Sequence, residues 1–284
     1  MQLAHKTIIL TGASGGIGSA IAHQFALQEV NLVLVGRSLA KLYALQRDLP
    51  GGPHYLIEAD LATTEGRRQF DTQLTELKTQ GVSIDGLINN AGHYEFNWFE
   101  RRGLSDIEQE LQLNLITPIE VCHMVLPNMN RPGIILNVGS TFGSIGYPGY
   151  SCYCAAKSGL HRFSEALDRE LSGLGVRVLY VAPRATRTPL NQPLIVQMNA
   201  SLGNREDAPE TVAEIIAQMF VSETSSRWIG WPEKLFAKIN QLLPDVVSRQ
   251  IRRQFPTLSL YMDEVGHKEP LHLNKSAHHK ELFR

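Results

Sequence analysis

Cysteine is scarce in this chain, with only Cys122, Cys152 and Cys154 in 284 residues. An odd count without paired C-x-x-C spacing supplies neither a disulfide framework nor a zinc site, and it fits a reduced, cytoplasmic compartment. Net charge is nearly absent too: 27 Lys and Arg against 28 Asp and Glu leave −1. There is no global basic field of the kind that non-specific nucleic-acid binding needs, so no nucleic-acid partner is expected. Long apolar runs are missing. No stretch approaches the roughly 18 consecutive apolar residues of a bilayer-spanning helix, and the opening Met1-Gln2-Leu3-Ala4-His5-Lys6 lacks the charged-then-apolar layout of an export signal. What remains is a globular composition, 43% hydrophobic and 19% charged, which excludes a disordered or fibrous chain.

Six short apolar runs read as strands: residues 7–10, 32–35, 54–57, 86–88, 134–138 and 176–181. Between them lie segments with apolar spacing near 3.6, such as Ile17, Ile21 and Phe25, then Leu39, Leu42 and Leu45, then Phe70, Leu74 and Leu77. The alternation predicts repeated βαβ units, and the continuously apolar strands predict a parallel sheet covered on both faces. The expected fold is α/β, a doubly wound, Rossmann-like parallel sheet. Residues 1–230 form the main unit in this reading, and 231–265 a helical extension of the same domain. Residues 266–284, with His267, His272, His278 and His279, read as a mobile tail.

The stretch from Pro183 to Pro209 has few periodic apolar residues and reads as a long loop or lid. The stretch from Glu233 to Phe255 is amphipathic and interrupted by Pro244, which predicts two short helices or one kinked helix. Between Trp231 and Pro256 it carries five Lys and Arg against two Asp and Glu. Packing over the substrate cleft or against another subunit is the preferred role, with peripheral membrane contact the lesser alternative.

Thr11-Gly12-Ala13-Ser14-Gly15-Gly16-Ile17-Gly18 follows the first strand and opens the first helix. Glycines allow a tight turn and close backbone approach to a pyrophosphate, and a helix N-terminus adds partial positive charge. A plain turn is the bland alternative. Tyr153 and Lys157 lie four apart, so on a helix they share a face. An ammonium beside a phenol favours the phenolate, so Lys157 is expected to lower the pKa of Tyr153 from its ordinary value of ~10. His93, His123 and His161 show no metal-ligand spacing, and no metal is expected.

Over about residues 5–230 these features resemble the short-chain dehydrogenase/reductase family. The motifs are the glycine turn, Asp60-Leu61, Asn89-Asn90-Ala91-Gly92, Asn114, Ser140 and Tyr153-x-x-x-Lys157. The resemblance implies that Gly12, Ser14, Gly15, Gly16, Ile17 and Gly18 cradle a nicotinamide dinucleotide. Asp60, next to Leu61, would bond its adenine, while Asn90, Ala91 and Gly92 would line the adenosine ribose. Pro183 and Thr188 would lie at the nicotinamide, and Lys157 would also hold its ribose. Ser140 and Tyr153 would act on the substrate oxygen, and Asn114 would support Lys157 through a water relay. It further implies a homodimer or homotetramer.

The second strand ends Val35-Gly36-Arg37-Ser38, without the carboxylate that accepts from the ribose 2′-OH of NAD. Arg37, helped by Ser38, suits a 2′-phosphate, so NADP(H) is expected. Arg184 stands where the family commonly has glycine, and Arg184 or Arg187 could attract an anionic substrate. The expected function is an NADP(H)-dependent oxidoreductase acting on a small-molecule carbonyl or alcohol, as a reductase. The alternatives are an NAD-dependent alcohol dehydrogenase and a non-catalytic dinucleotide-binding regulator.

Overall fold

Aliphatic runs that can be buried on both faces become the central strands, and the periodic segments between them become the covering helices. The computed structural model describes residues 1–231 and 233–266. The strands are β1 (Thr7–Thr11), β2 (Asn31–Gly36), β3 (Tyr55–Glu58), β4 (Ile84–Asn89), β5 (Met129–Val138), β6 (Val176–Ala182) and β7 (Ser226–Trp228). The first four helices are α1 (Gly16–Ala26), α2 (Leu39–Asp48), α3 (Thr64–Thr79) and α4 (Leu104–Leu111). The rest are α5 (Thr117–Val125), α6 (Ser151–Glu170), α7 (Pro193–Ser201), α8 (Pro209–Ser222), α9 (Glu233–Leu242) and α10 (Pro244–Gly266).

All seven strands are parallel, in the order β3-β2-β1-β4-β5-β6-β7. The chain builds outward from β1 to β3, then crosses back to place β4 on the other side of β1. That reversal opens a crevice at the C-terminal ends of β1 and β4, where ligands bind in open α/β sheets. One face of the sheet is covered by α1 and α8, whose Phe25 and Phe220 meet edge to face at 5.3 Å. The other face packs Phe70 and Leu74 of α3 against Val121, Cys122 and Val125 of α5.

A third apolar cluster lies beyond the strand ends. It joins Phe96, Tyr150 and Cys154 to Ile195 and Met198 of α7 and to Leu258 and Met262 of α10. Polar ties hold α10 there, since the Trp98 indole donates to Asp263 at 2.8 Å and Arg101 pairs with the same carboxylate at 2.9 Å. Pro244 separates two helices and stands first in α10, where its missing N–H costs no intrahelical bond. The Asn240 amide of α9 donates to the Ser144 carbonyl at 2.9 Å, and the Trp228 indole donates to the Ser144 hydroxyl at 3.0 Å.

Two elements differ from the sequence reading. The segment read as a lid contains α7, which opens on Pro193 and buries Leu194, Ile195 and Met198. Its nine residues are too few to display a period against the polar residues around them. The seventh strand, Ser226-Arg227-Trp228, carries no apolar run and is held by pairing with β6. The segment with His267, His272, His278 and His279 lies outside the described residues.

Candidate active site

The glycine turn is shaped by contacts that only glycine permits. Gly12 has φ +63°, and a Cβ there would lie 2.8 Å from Ala91 Cα. A Cβ on Gly18 would sit 2.1 Å from the Gly12 carbonyl oxygen, and one on Gly16 2.7 Å from Thr188. The turn after β1 therefore passes directly against the turn after β4. Asn90 ties the two, donating from its amide to the Thr11 and Gly12 carbonyls at 3.1 and 3.2 Å. The Thr11 hydroxyl, which the motif reading passed over, accepts the Asn90 and Ala91 N–H groups at 3.0 and 3.1 Å.

The N-cap of α1 is Gly15, and no side chain bonds the first N–H groups of that helix. Such orphan donors at a helix N-terminus suit an anion. This bare helix end, beside a groove that side chains would fill, fits the pyrophosphate of a dinucleotide. At the tip of β2 a Cβ on Gly36 would meet Ser14 Oγ at 3.6 Å, so the two lie side by side. Arg37 is exposed there. Ser38 caps α2, its hydroxyl accepting from Lys41 N–H at 3.4 Å. Asp60 Oδ1 accepts the Ala62 N–H at 3.2 Å, and Leu61 is buried with its carbonyl bound by Arg67 and Thr117.

The reactive groups converge from separate elements. Ser140 follows β5 and caps a short 3₁₀ turn, Thr141–Gly143, its Oγ accepting from Phe142 N–H at 3.1 Å. Tyr153 and Lys157 stand one turn apart on α6. Lys157 is buried, its Nζ donates to the Val138 carbonyl at 3.0 Å, and it lies 5.6 Å from the Tyr153 ring centre. Burial lowers the Lys157 pKa from 10.5 to about 8.

The expected lowering of the Tyr153 pKa is not what this geometry gives. Burial pushes the phenol well above its ordinary value, and a hydrogen bond with Ser140 opposes that shift. The Tyr94 and Phe142 rings stand 5.8 and 6.5 Å from it and strip water from a would-be phenolate. Asn114 lies in a π-turn, Gln112–Ile116, and its amide donates to the His93 and Glu110 carbonyls at 2.6 and 2.9 Å. A Cβ on Gly92 would lie 2.9 Å from Asn114 Oδ1 and 3.6 Å from Lys157 Nζ, so glycine keeps the space between them open.

Ser140, Tyr153 and Lys157 line one cavity of about 720 Å³, together with Ile17, Asn90, Gly92, Pro183 and Thr188. Of the glycine turn, Ile17 reaches this space and the glycines themselves do not line it. Arg184 also lines it, but its guanidinium grips the Asp207 carboxylate at 3.0 and 2.7 Å. Arg187 is exposed and does not line the cavity. The aromatic wall of Tyr94, Phe142, Tyr147 and Tyr150 comes from two segments, the one after β4 and the one between β5 and α6, and no period along the chain announces it. Among the described residues no group of three or more His, Cys, Asp or Glu is placed to hold a metal, and no helix is long and apolar enough to cross a membrane.

Comparison with known proteins agrees with this geometry. Residues 6–199 match the family model for short chain dehydrogenase. A 3-oxoacyl-[acyl-carrier-protein] reductase of Bos taurus is 33% identical over 210 residues, covering 72% of this chain and 86% of the relative. An enzyme of the same name from Thermotoga maritima is 31% identical over 233 residues, covering 79% and 94%. A short-chain dehydrogenase structure from Streptomyces avermitilis superposes with TM-score 0.72 at 23% identity, covering 90% of this chain and 98% of that one. Another, from Burkholderia cenocepacia in complex with NADP, gives TM-score 0.69 at 24% identity, covering 77% and 91%. With a parallel sheet that reverses at β1, a glycine turn at the reversal and a family match across two-thirds of its length, this chain belongs to the short-chain dehydrogenase family of oxidoreductases, which act on carbonyl and alcohol groups with a nicotinamide dinucleotide.

Proposed function

We propose that the protein is an NADP(H)-dependent carbonyl reductase in which Tyr153 is the general acid. The observation that carries this reading is the convergence of Ser140, Tyr153 and Lys157 on one cavity that also takes in Ile17 of the glycine turn and Asn90 and Gly92 of the turn after β4. The turn from Gly12 to Gly18 holds the pyrophosphate, with Asn90, Ala91 and Gly92 opposite. Asp60 serves the adenine, Pro183 and Thr188 the nicotinamide end. Arg37, exposed beside a Gly36 that offers no carboxylate, supplies the cation for a 2′-phosphate. When bound, the dinucleotide supplies the hydride.

The chain's own residues orient the carbonyl and manage its proton. Ser140 donates a hydrogen bond to the carbonyl oxygen as negative charge develops there, and Tyr153 passes its hydroxyl proton to the same atom. An elevated phenol pKa keeps that proton in place at neutral pH, which suits the reductive direction. Lys157, in its ammonium form, stabilises the phenolate left behind and holds the cofactor ribose. Asn114 sits beyond Gly92, where it supports a water path for the returning proton. The names of the relatives, reductases of 3-oxoacyl groups, favour a ketone as the reacting group.

The test is NADPH oxidation, followed by absorbance against a panel of ketones and aldehydes. Wild type is expected to turn over, and Tyr153→Phe to lose at least the ~100-fold that a positioned acid supplies while still binding NADPH by fluorescence titration. Retained turnover in that variant would overturn the assignment.

A further inference from the structure

The outer part of the cavity is built to receive hydrocarbon. Beyond Tyr153 its wall is formed by Tyr94, Phe142, Tyr147 and Tyr150, with ring centroids 4.9 to 6.3 Å apart. Two of these phenols are already engaged. Tyr94 donates to Asn191 at 2.8 Å and Tyr147 to Gln254 at 3.3 Å, so these residues offer a ligand their rings. The lining adds Ile195 and Met198 of α7, which pack in one cluster with Tyr150, and Phe236 and Ile251 of α9 and α10. Of the cations on the lining, Lys157 is buried, Arg184 is held by Asp207 and Arg205 is exposed.

A volume of about 720 Å³ falls in the range that encloses drug-sized ligands, roughly 300–1,000 Å³. Part of that space lies against Ile17, Pro183 and Thr188, where the reading above puts the nicotinamide end of the cofactor, and the aromatic chamber is what remains for substrate. Asn204, Arg205 and Gln250 also stand on the lining, but apolar surface predominates, so an alkyl chain gains most by leaving water there.

We infer, on the basis of the reductase reading above, that the substrate is a lipophilic carbonyl compound whose extended alkyl chain fills this chamber under α9 and α10. The carbonyl lies at Ser140 and Tyr153, and the chain runs between the tyrosine wall and Ile195, Phe236 and Ile251. Trp231, exposed on the rim, marks the entrance.

The experiment uses a homologous series of methyl ketones from about four to about twelve carbons, with the full chain and saturating NADPH, because each buried methylene contributes ~0.8 kcal/mol. Both kcat/KM and affinity are read, the latter from tryptophan fluorescence. The expected result is a rise of about fourfold per added methylene until the chamber is full. Ile251→Ser is expected to reduce the value for the longest ketone more than for the shortest. Affinity that stays flat or falls with chain length in the wild-type protein overturns the inference, whatever the turnover. Affinity that climbs with chain length without any turnover upholds the chamber and overturns the reductase reading instead.

Discussion

Lys157 Nζ donates to the Val138 carbonyl oxygen at 3.0 Å, which pins the amine at the C-terminal end of β5 and beneath the Tyr153 ring. The bond lets α6 deliver a buried cation to the one place where the strand end, the phenol and the cavity meet. Burial of the same amine sets how the site responds to pH.

The Lys157 pKa falls from 10.5 to about 8 on burial, whereas that of Tyr153 rises. The phenol therefore keeps its proton across the neutral range, and the ammonium is lost as pH climbs through about 8. Carbonyl reduction is expected to decline above that point. Stability should move the other way. Between about 8 and 10.5 the folded chain binds fewer protons at Lys157 than the unfolded chain, so this residue's contribution to stability improves with rising pH. A pH–rate profile with thermal melts in the same buffers checks both signs, and a rate decline that tracks a falling melting temperature would refute the account.

Gly18→Ala places a Cβ 2.1 Å from the Gly12 carbonyl oxygen. The turn must shift, at a cost of ~1–3 kcal/mol for overpacking. A lower melting temperature and weaker NADPH binding are expected together. Gly146→Ala, where a Cβ would meet nothing within 4 Å, is the matched control.

Arg37 is the exposed cation at the tip of β2. If it reads a 2′-phosphate, Arg37→Ala loses a charge-assisted bond of ~1.5–3 kcal/mol, a rise of roughly 10- to 100-fold in the NADPH dissociation constant. NADH binding should scarcely change. Equal losses for the two cofactors, measured by isothermal titration, would remove Arg37 from the recognition of phosphate.

Arg102 is buried with Glu110, and Glu95 approaches the same guanidinium at 3.3 Å. Arg102→Leu strands the buried Glu110 carboxylate, while Glu95 keeps the Asn97 amide at 3.1 Å, and is expected to cost ~3–5 kcal/mol. Glu110→Leu leaves Arg102 paired with Glu95 and should cost less. Urea unfolding of the two variants gives the ranking, and the reverse order would contradict it.

Much of the architecture could be read along the chain because its strands are buried on both faces. Leu32-Val33-Leu34-Val35 needs no partner to be recognised as a central strand, and every one of these side chains is fully buried. The helical spacing of Tyr153 and Lys157 likewise foretold their shared face. Ser226-Arg227-Trp228 is different, since its pairing with β6 leaves no hydrophobic trace in so short a run. The aromatic chamber was hidden for another reason. Tyr94 meets Phe142, Tyr147 and Tyr150 only after the segment following β4 folds against the one between β5 and α6. The direction of the Tyr153 shift was equally out of reach, because the deciding quantity is the water those rings exclude.

Ser144 receives the Asn240 amide on its carbonyl and the Trp228 indole on its hydroxyl, and it follows directly on the turn that Ser140 caps. Any swing of α9 away from the sheet must either break the Asn240 bond or drag that turn along with it. The seating of α9 and the aim of the Ser140 hydroxyl are consequently geared to one another through a single serine.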